Sequence, residues 1–90
     1  MSYGVRWDTE ALNDLAELGK AEAVRIVKKV ESHLVKDPMN LGKPLSGNFS
    51  GFYSYRIGDY RVIYQIIRDE LVIEVIIVGH RKDVYGIKRL

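Results

Sequence analysis

The chain has 90 residues, with 14 lysines and arginines against 12 aspartates and glutamates; the resulting charge of +2 says little about nucleic acid by itself. One domain, residues 1–90, is expected at this length, burying only about 60–65% of the surface that the unfolded chain exposes. The absence of cysteine excludes disulfides, thiolate metal sites and cysteine nucleophiles, and no apolar run reaches the length of a signal peptide or membrane span, so the chain reads as cytoplasmic.

Residues 3–7 alternate as a short strand, with Tyr3, Val5 and Trp7 on one side. Asp8 suits a helix N-cap, and Ala11, Leu12, Leu15 and Leu18 follow helical spacing up to a closing Gly19. A second helix carries the stripe Ala23, Ile26, Val27, Val30 and Leu34 and is predicted to end near Asp37, because Pro38 disfavours helical geometry in the residue before it. Residues 38–50, rich in Gly, Pro, Asn and Ser, read as a surface connection. Strands are then predicted at 52–57, 60–67 and 71–79, the first two joined by the hairpin pair Gly58-Asp59 and the last two by a tight turn around Asp69-Glu70. The order β-α-α-β-β-β implies an α+β fold: an antiparallel sheet with an N-terminal helical hairpin on one face.

Charge is unevenly spread. Residues 8–18 are acidic, whereas Lys20, Arg25, Lys28, Lys29 and Lys36 make the second helix basic and Arg81, Lys82, Lys88 and Arg89 add positive charge late. The plain reading of each cluster is a solvated face.

Side-chain alternation turns the hairpin register into a statement about chemistry. With Gly58-Asp59 as the loop, Arg56 stands opposite Arg61, a like-charge pair that costs a few tenths to about 1 kcal/mol and that an anionic partner would relieve. With Asp69-Glu70 as the second loop, Val62, Tyr64 and Ile66 face Ile77, Val75 and Ile73 beneath the helices. The opposite face then carries Ser54, Arg56, Arg61, Gln65, Glu74 and His80, with Arg81 and Tyr85 just past the strand; a loop one residue longer would exchange His80 for Arg81. Such a set suits RNA scission by the ribose 2′-hydroxyl, with no metal or other cofactor: guanidinium groups bind phosphate in two-pronged fashion and hold their charge. A histidine is a candidate acid or base, and a tyrosine, with a reference pKa of about 10, is a candidate base if cations lower it.

Each candidate has a plainer reading. Arg56 and Arg61 suit a solvated hairpin edge, His80 a cap at a strand end, Tyr85 packing on the sheet edge, and His33 the surface of the second helix. Tyr53, Tyr55, Tyr60 and Tyr64 read as packing residues, and Gly42, Gly47 and Gly51 fit no phosphate-cradling fingerprint.

The segments Gly58-Asp59-Tyr60-Arg61-Val62-Ile63-Tyr64 and Val78-Gly79-His80-Arg81-Lys82-Asp83-Val84-Tyr85, preceded by Lys43-Pro44-Leu45-Ser46-Gly47, resemble the RelE/ParE toxin superfamily, and the likeness runs nearly end to end. For RelE-type members, or mRNA interferases, the resemblance implies ribosome-dependent cleavage of messenger RNA in the A site, a basic surface against small-subunit ribosomal RNA, and silencing by an antitoxin whose C-terminal segment wraps the toxin. Arg61 and Arg81 stand at the family's phosphate-binding arginines and Tyr85 at a tyrosine proposed as general base. Arg56, Lys82, Lys28 and Lys29 join Arg61 and Arg81 as candidate RNA contacts. Best-known members carry two lysines on the strand before the first hairpin turn, where this chain has Ser54 and Arg56; arginine is a poor proton donor, so His80 becomes the candidate general acid. ParE-type members share the fold but act on DNA gyrase and typically lack the C-terminal arginine and tyrosine set. A gyrase-binding inhibitor, or a ribosome or antitoxin binder without activity, is therefore the alternative class.

Overall fold

A computed structural model describes residues 2–87; Lys88 and Arg89, counted above among the late positive charges, lie outside them. The Asp8 carboxylate accepts a bond from the Glu10 amide at 3.1 Å and caps helix α1 (Thr9–Leu18), an interaction that contributes about 1 kcal/mol. Gly19 leads directly into α2 (Lys20–Ser32). Ala11, Leu15, Ile26 and Val30 form the buried stripe. Leu12, placed on that stripe by its spacing, is 50% exposed.

The second helix stops five residues before the expected Asp37. Ser32 Oγ donates to the Lys28 carbonyl at 2.6 Å, and the chain tightens into a 3₁₀ turn at Leu34–Lys36. Leu34 and Val35, adjacent in sequence, are both buried there. Pro38 then opens a short helix α3 (Pro38–Leu41), since its missing amide hydrogen is harmless at a first helical position. The proline thus begins a helix rather than ending one.

Strands β1 (Gly4–Trp7), β2 (Lys43–Pro44), β3 (Tyr53–Ile57), β4 (Tyr60–Ile67) and β5 (Val72–His80) make one sheet in the order β1-β5-β4-β3-β2. The β3–β4 and β4–β5 pairings are antiparallel as expected and β2 adds a further antiparallel pairing to β3, but β1 runs parallel to β5 and the sheet is mixed. A four-residue strand separated from its partner by the whole helical layer and the other strands carries no local mark of its direction. β2 lies inside the segment read as a connection; it pairs Lys43 with Ser54 at the edge, where a proline is tolerated.

The β3–β4 register is the predicted one, with Tyr55 opposite Val62, Arg56 opposite Arg61 and Ile57 opposite Tyr60. Positive φ at Gly58 alone matches the II′ hairpin turn. In the β4–β5 pair, Ile66 faces Ile73 and Tyr64 faces Val75, again as predicted, but a bulge at Ile76 then shifts the register. Beyond it Ile63 faces Ile77, Val62 faces Val78, Arg61 faces Gly79 and Tyr60 faces His80.

The helices and the sheet enclose the main core, in which Ile26, Val30, Val62, Tyr64 and Val75 are fully buried. Each such side chain contributes about 1.5–3 kcal/mol through removal from water. On the other face, expected to be open and polar, Ile63, Ile77 and Val84 form a second small core under Leu45, Phe49 and Phe52. Tyr64 reaches through the main core to donate to the Pro38 carbonyl at 2.6 Å, and a Cβ at Gly42 would collide with its hydroxyl. Burial pushes the Tyr64 phenol well above its usual range.

Candidate active site

Ser54 and Arg56 on β3 and Arg61 on β4 project from the face opposite the helices. Past the end of β5 the Arg81 amide donates to the Asp59 carbonyl at 2.8 Å and the Asp83 amide to the His80 carbonyl at 2.9 Å, so the chain folds back across the sheet edge. Val84 is fully buried against Ile63 and Ile77 and anchors the 3₁₀ turn Val84–Gly86. Tyr85, beside that anchor, therefore overhangs the sheet. Its hydroxyl donates to Ser54 Oγ at 3.1 Å, and its ring meets Phe49 edge-on, with centroids 5.6 Å apart.

These elements enclose a cleft of about 550 Å³ lined by Lys43, Ser54, Arg56, Arg61, Arg81, Lys82 and Tyr85. Five of the seven are cations and none is a carboxylate. The ion pairs among the described residues, Arg6–Glu70 and Arg25–Glu22, involve none of them. Arg61 Nη1 is held by the Tyr60 carbonyl at 3.3 Å and Arg56 Nε by the Gly58 carbonyl at 3.4 Å, contacts that steer the side chains without neutralising them. A pocket built in this way is strongly attractive to an anion the size of a phosphate, because uncompensated like charges are relieved only by a ligand of opposite sign.

Of the residues singled out in the sequence, Arg56, Arg61, Arg81, Lys82 and Tyr85 line this one cleft. His80 does not. The bulge turns it to the helix side, where its ring meets Tyr60 edge-on with centroids 6.0 Å apart and its Nδ1 accepts from the Lys82 amide at 3.2 Å. Arg81 takes the cleft position instead. Lys28 and Lys29 are exposed on α2, in the layer covering the other face of the sheet, and do not reach the cleft. His33 is exposed as expected, but its Nδ1 lies 2.5 Å from the hydroxyl of buried Tyr55, whose phenol is pushed up by burial.

Lys43 was missed as a site residue. It enters through β2, a two-residue strand containing proline, and the only hint was its place in the Lys43-Pro44-Leu45-Ser46-Gly47 segment. Ser54, expected on this polar face and at a position where the best-known family members carry a lysine, accepts from the Tyr85 hydroxyl. No cluster of three or more His, Asp or Glu side chains with metal-ligating geometry occurs among the described residues, and no helix among them is long and apolar enough to cross a membrane.

A mixed sheet with a helical hairpin on one face and a cationic cleft on the other defines a small toxin of the RelE/ParE kind. Residues 5–85 match the family model described as ParE toxin of type II toxin-antitoxin system, parDE, and the chain belongs to that family. It is 34% identical over 85 residues to toxin RelG of Mycobacterium tuberculosis, covering 94% of this chain and 98% of that protein. It is 36% identical over 83 residues to toxin RelE of the same organism, covering 92% and 86%. Its fold superposes on the crystal structure of the M. tuberculosis toxin-antitoxin complex RelBE2 with a TM-score of 0.85 at 32% identity, covering 90% of this chain and 100% of that chain. A free-state variant of Escherichia coli toxin RelE gives a TM-score of 0.77 at 28% identity, covering 96% and 93%.

Proposed function

We propose that residues 1–90 act in the cytoplasm as a ribosome-dependent endoribonuclease that cleaves messenger RNA in the A site and is neutralised by a partner antitoxin. The observation that carries this reading is the convergence of Arg56, Arg61 and Arg81 with Tyr85 on one cleft. In the reaction the ribose 2′-oxygen bonds to the adjacent phosphorus, the bond from phosphorus to the 5′-oxygen breaks, and a 2′,3′-cyclic phosphate and a 5′-hydroxyl result. Tyr85, once its own hydroxyl proton has been given up through Ser54 to solvent, takes the 2′-hydroxyl proton as a phenolate. The three guanidinium groups stabilise the extra charge of the phosphorane, where fixed donors act most strongly. Guanidinium groups do not release protons at working pH, so the leaving oxygen draws its proton from an ammonium group of the cleft, Lys43 or Lys82, rather than from His80.

The antitoxin is assigned by extension from relatives solved as RelBE complexes. Exposed Leu12, Val24 and Leu41, on the helical hairpin and α3, suit a segment that folds as it binds. A second reading, a gyrase inhibitor without nuclease activity, is favoured by the ParE description of the matching family. Primer extension on messenger RNA, with and without programmed ribosomes, separates the two. Breaks inside codons that disappear in the Arg61, Arg81 and Tyr85 variants support the nuclease, whereas intact RNA together with inhibited gyrase supercoiling rejects it.

A further inference from the structure

The main chain of β5 changes phase between its two ends. Near the start the Val75 carbonyl accepts from the Asp8 amide, so the polar groups of Val75 point outward to the edge that β1 occupies; at the far end the Arg81 amide donates inward, toward the β4 side, to the carbonyl of Asp59 just before β4. Residues 75 and 81 are an even number of steps apart, and strict alternation would point both the same way. The bulge at Ile76 accounts for the reversal. Beyond it the Val78 amide points outward, whereas in an unbulged strand it would point inward to β4.

β1 ends at Trp7, opposite Val75, so no strand among the described residues is available to receive the outward Val78 amide. The acceptor is instead Asp14 of α1, whose Oδ2 lies 3.0 Å from the Val78 nitrogen. That bond is compatible only with the bulged register. We propose that Asp14 is a positioning residue: by holding Val78, it selects the register in which Arg81 faces the cleft and His80 faces away. Asp14 is not among the residues lining the cleft and acts on the chemistry through its hold on β5. Its effect on cleavage rests on the nuclease reading, but its effect on register does not.

The test joins NMR with kinetics. In the wild-type toxin, slow exchange of the Val78 amide and Hα–Hα contacts for Val62–Val78 and Tyr60–His80 are expected; a rapidly exchanging Val78 amide overturns the proposal without any variant. In Asp14→Ala those contacts should be lost, and steady-state RNA cleavage should fall at least 30-fold in kcat with KM changed less than about threefold. Adding Arg81→Ala to that variant should cause little further loss, since both changes remove the same guanidinium from the cleft. Asp14→Asn, which retains an acceptor oxygen, should keep the contacts and most of the rate. Retention of the bulged register in Asp14→Ala, or losses that multiply in the double variant, overturns the proposal. A wild-type protein that cuts no RNA defeats the nuclease reading, and the exchange and Hα measurements then decide the role of Asp14 separately.

Discussion

Arg56 and Arg61 face each other across a hairpin, and neither takes part in the ion pairs found among the described residues. Each is worth more to an anionic ligand than to the fold. Arg56→Gln should therefore stabilise the free protein by a few tenths to about 1 kcal/mol in urea denaturation while weakening RNA binding. The same separation of roles applies to Arg81, whose side chain is exposed and whose amide alone joins the fold through Asp59. Arg81→Ala should lower RNA cleavage about 10²–10³-fold, the range for removing one transition-state donor. Its melting temperature and antitoxin binding should remain those of the wild type, and a variant that fails to fold would show Arg81 to be structural.

At the scale of elements, β4 links the core to the segment that carries β2 into the cleft. Tyr64 on β4 is fully buried, stacks on Tyr53 with centroids 5.5 Å apart, and donates to the Pro38 carbonyl at the start of α3. Tyr64→Phe should cost about 1–3 kcal/mol, because the buried carbonyl loses its donor. The pH dependence has a definite sign. Burial raises the folded-state pKa of Tyr64 above the unfolded value near 10, so its contribution is complete below about pH 10 and is lost as pH rises from there through the folded-state pKa. Urea titrations above pH 10 should show a steep decline in wild type and a shallower one in Tyr64→Phe.

For the molecule as a whole, the sheet separates two surfaces with different tasks. Helices α1 and α2 close the main core on one side and present Leu12 and Val24 to solvent; five cations gather on the other. A net charge of only +2 conceals this concentration. Binding to ribosomes or single-stranded RNA should weaken with salt, with a slope of log K against log salt of about −2 to −3 if three or four phosphates are neutralised at roughly −0.7 each. A flat dependence would exclude the cleft as the RNA contact.

Local physics alone determined much of this. Asp8 capping, the apolar spacing from Ala11 to Val30 and the Gly58-Asp59 turn were legible because each depends on residues within a few positions, and the hairpin turn by itself placed Arg56 opposite Arg61. Long-range contacts decided the rest. The parallel direction of β1, the pairing of Lys43 with Ser54 and the bulge at Ile76 depend on partners far along the chain. The bulge has the largest consequence, because alternation along a strand has a period of two: one additional residue exchanges the faces of everything beyond it, and so places Arg81 rather than His80 in the cleft.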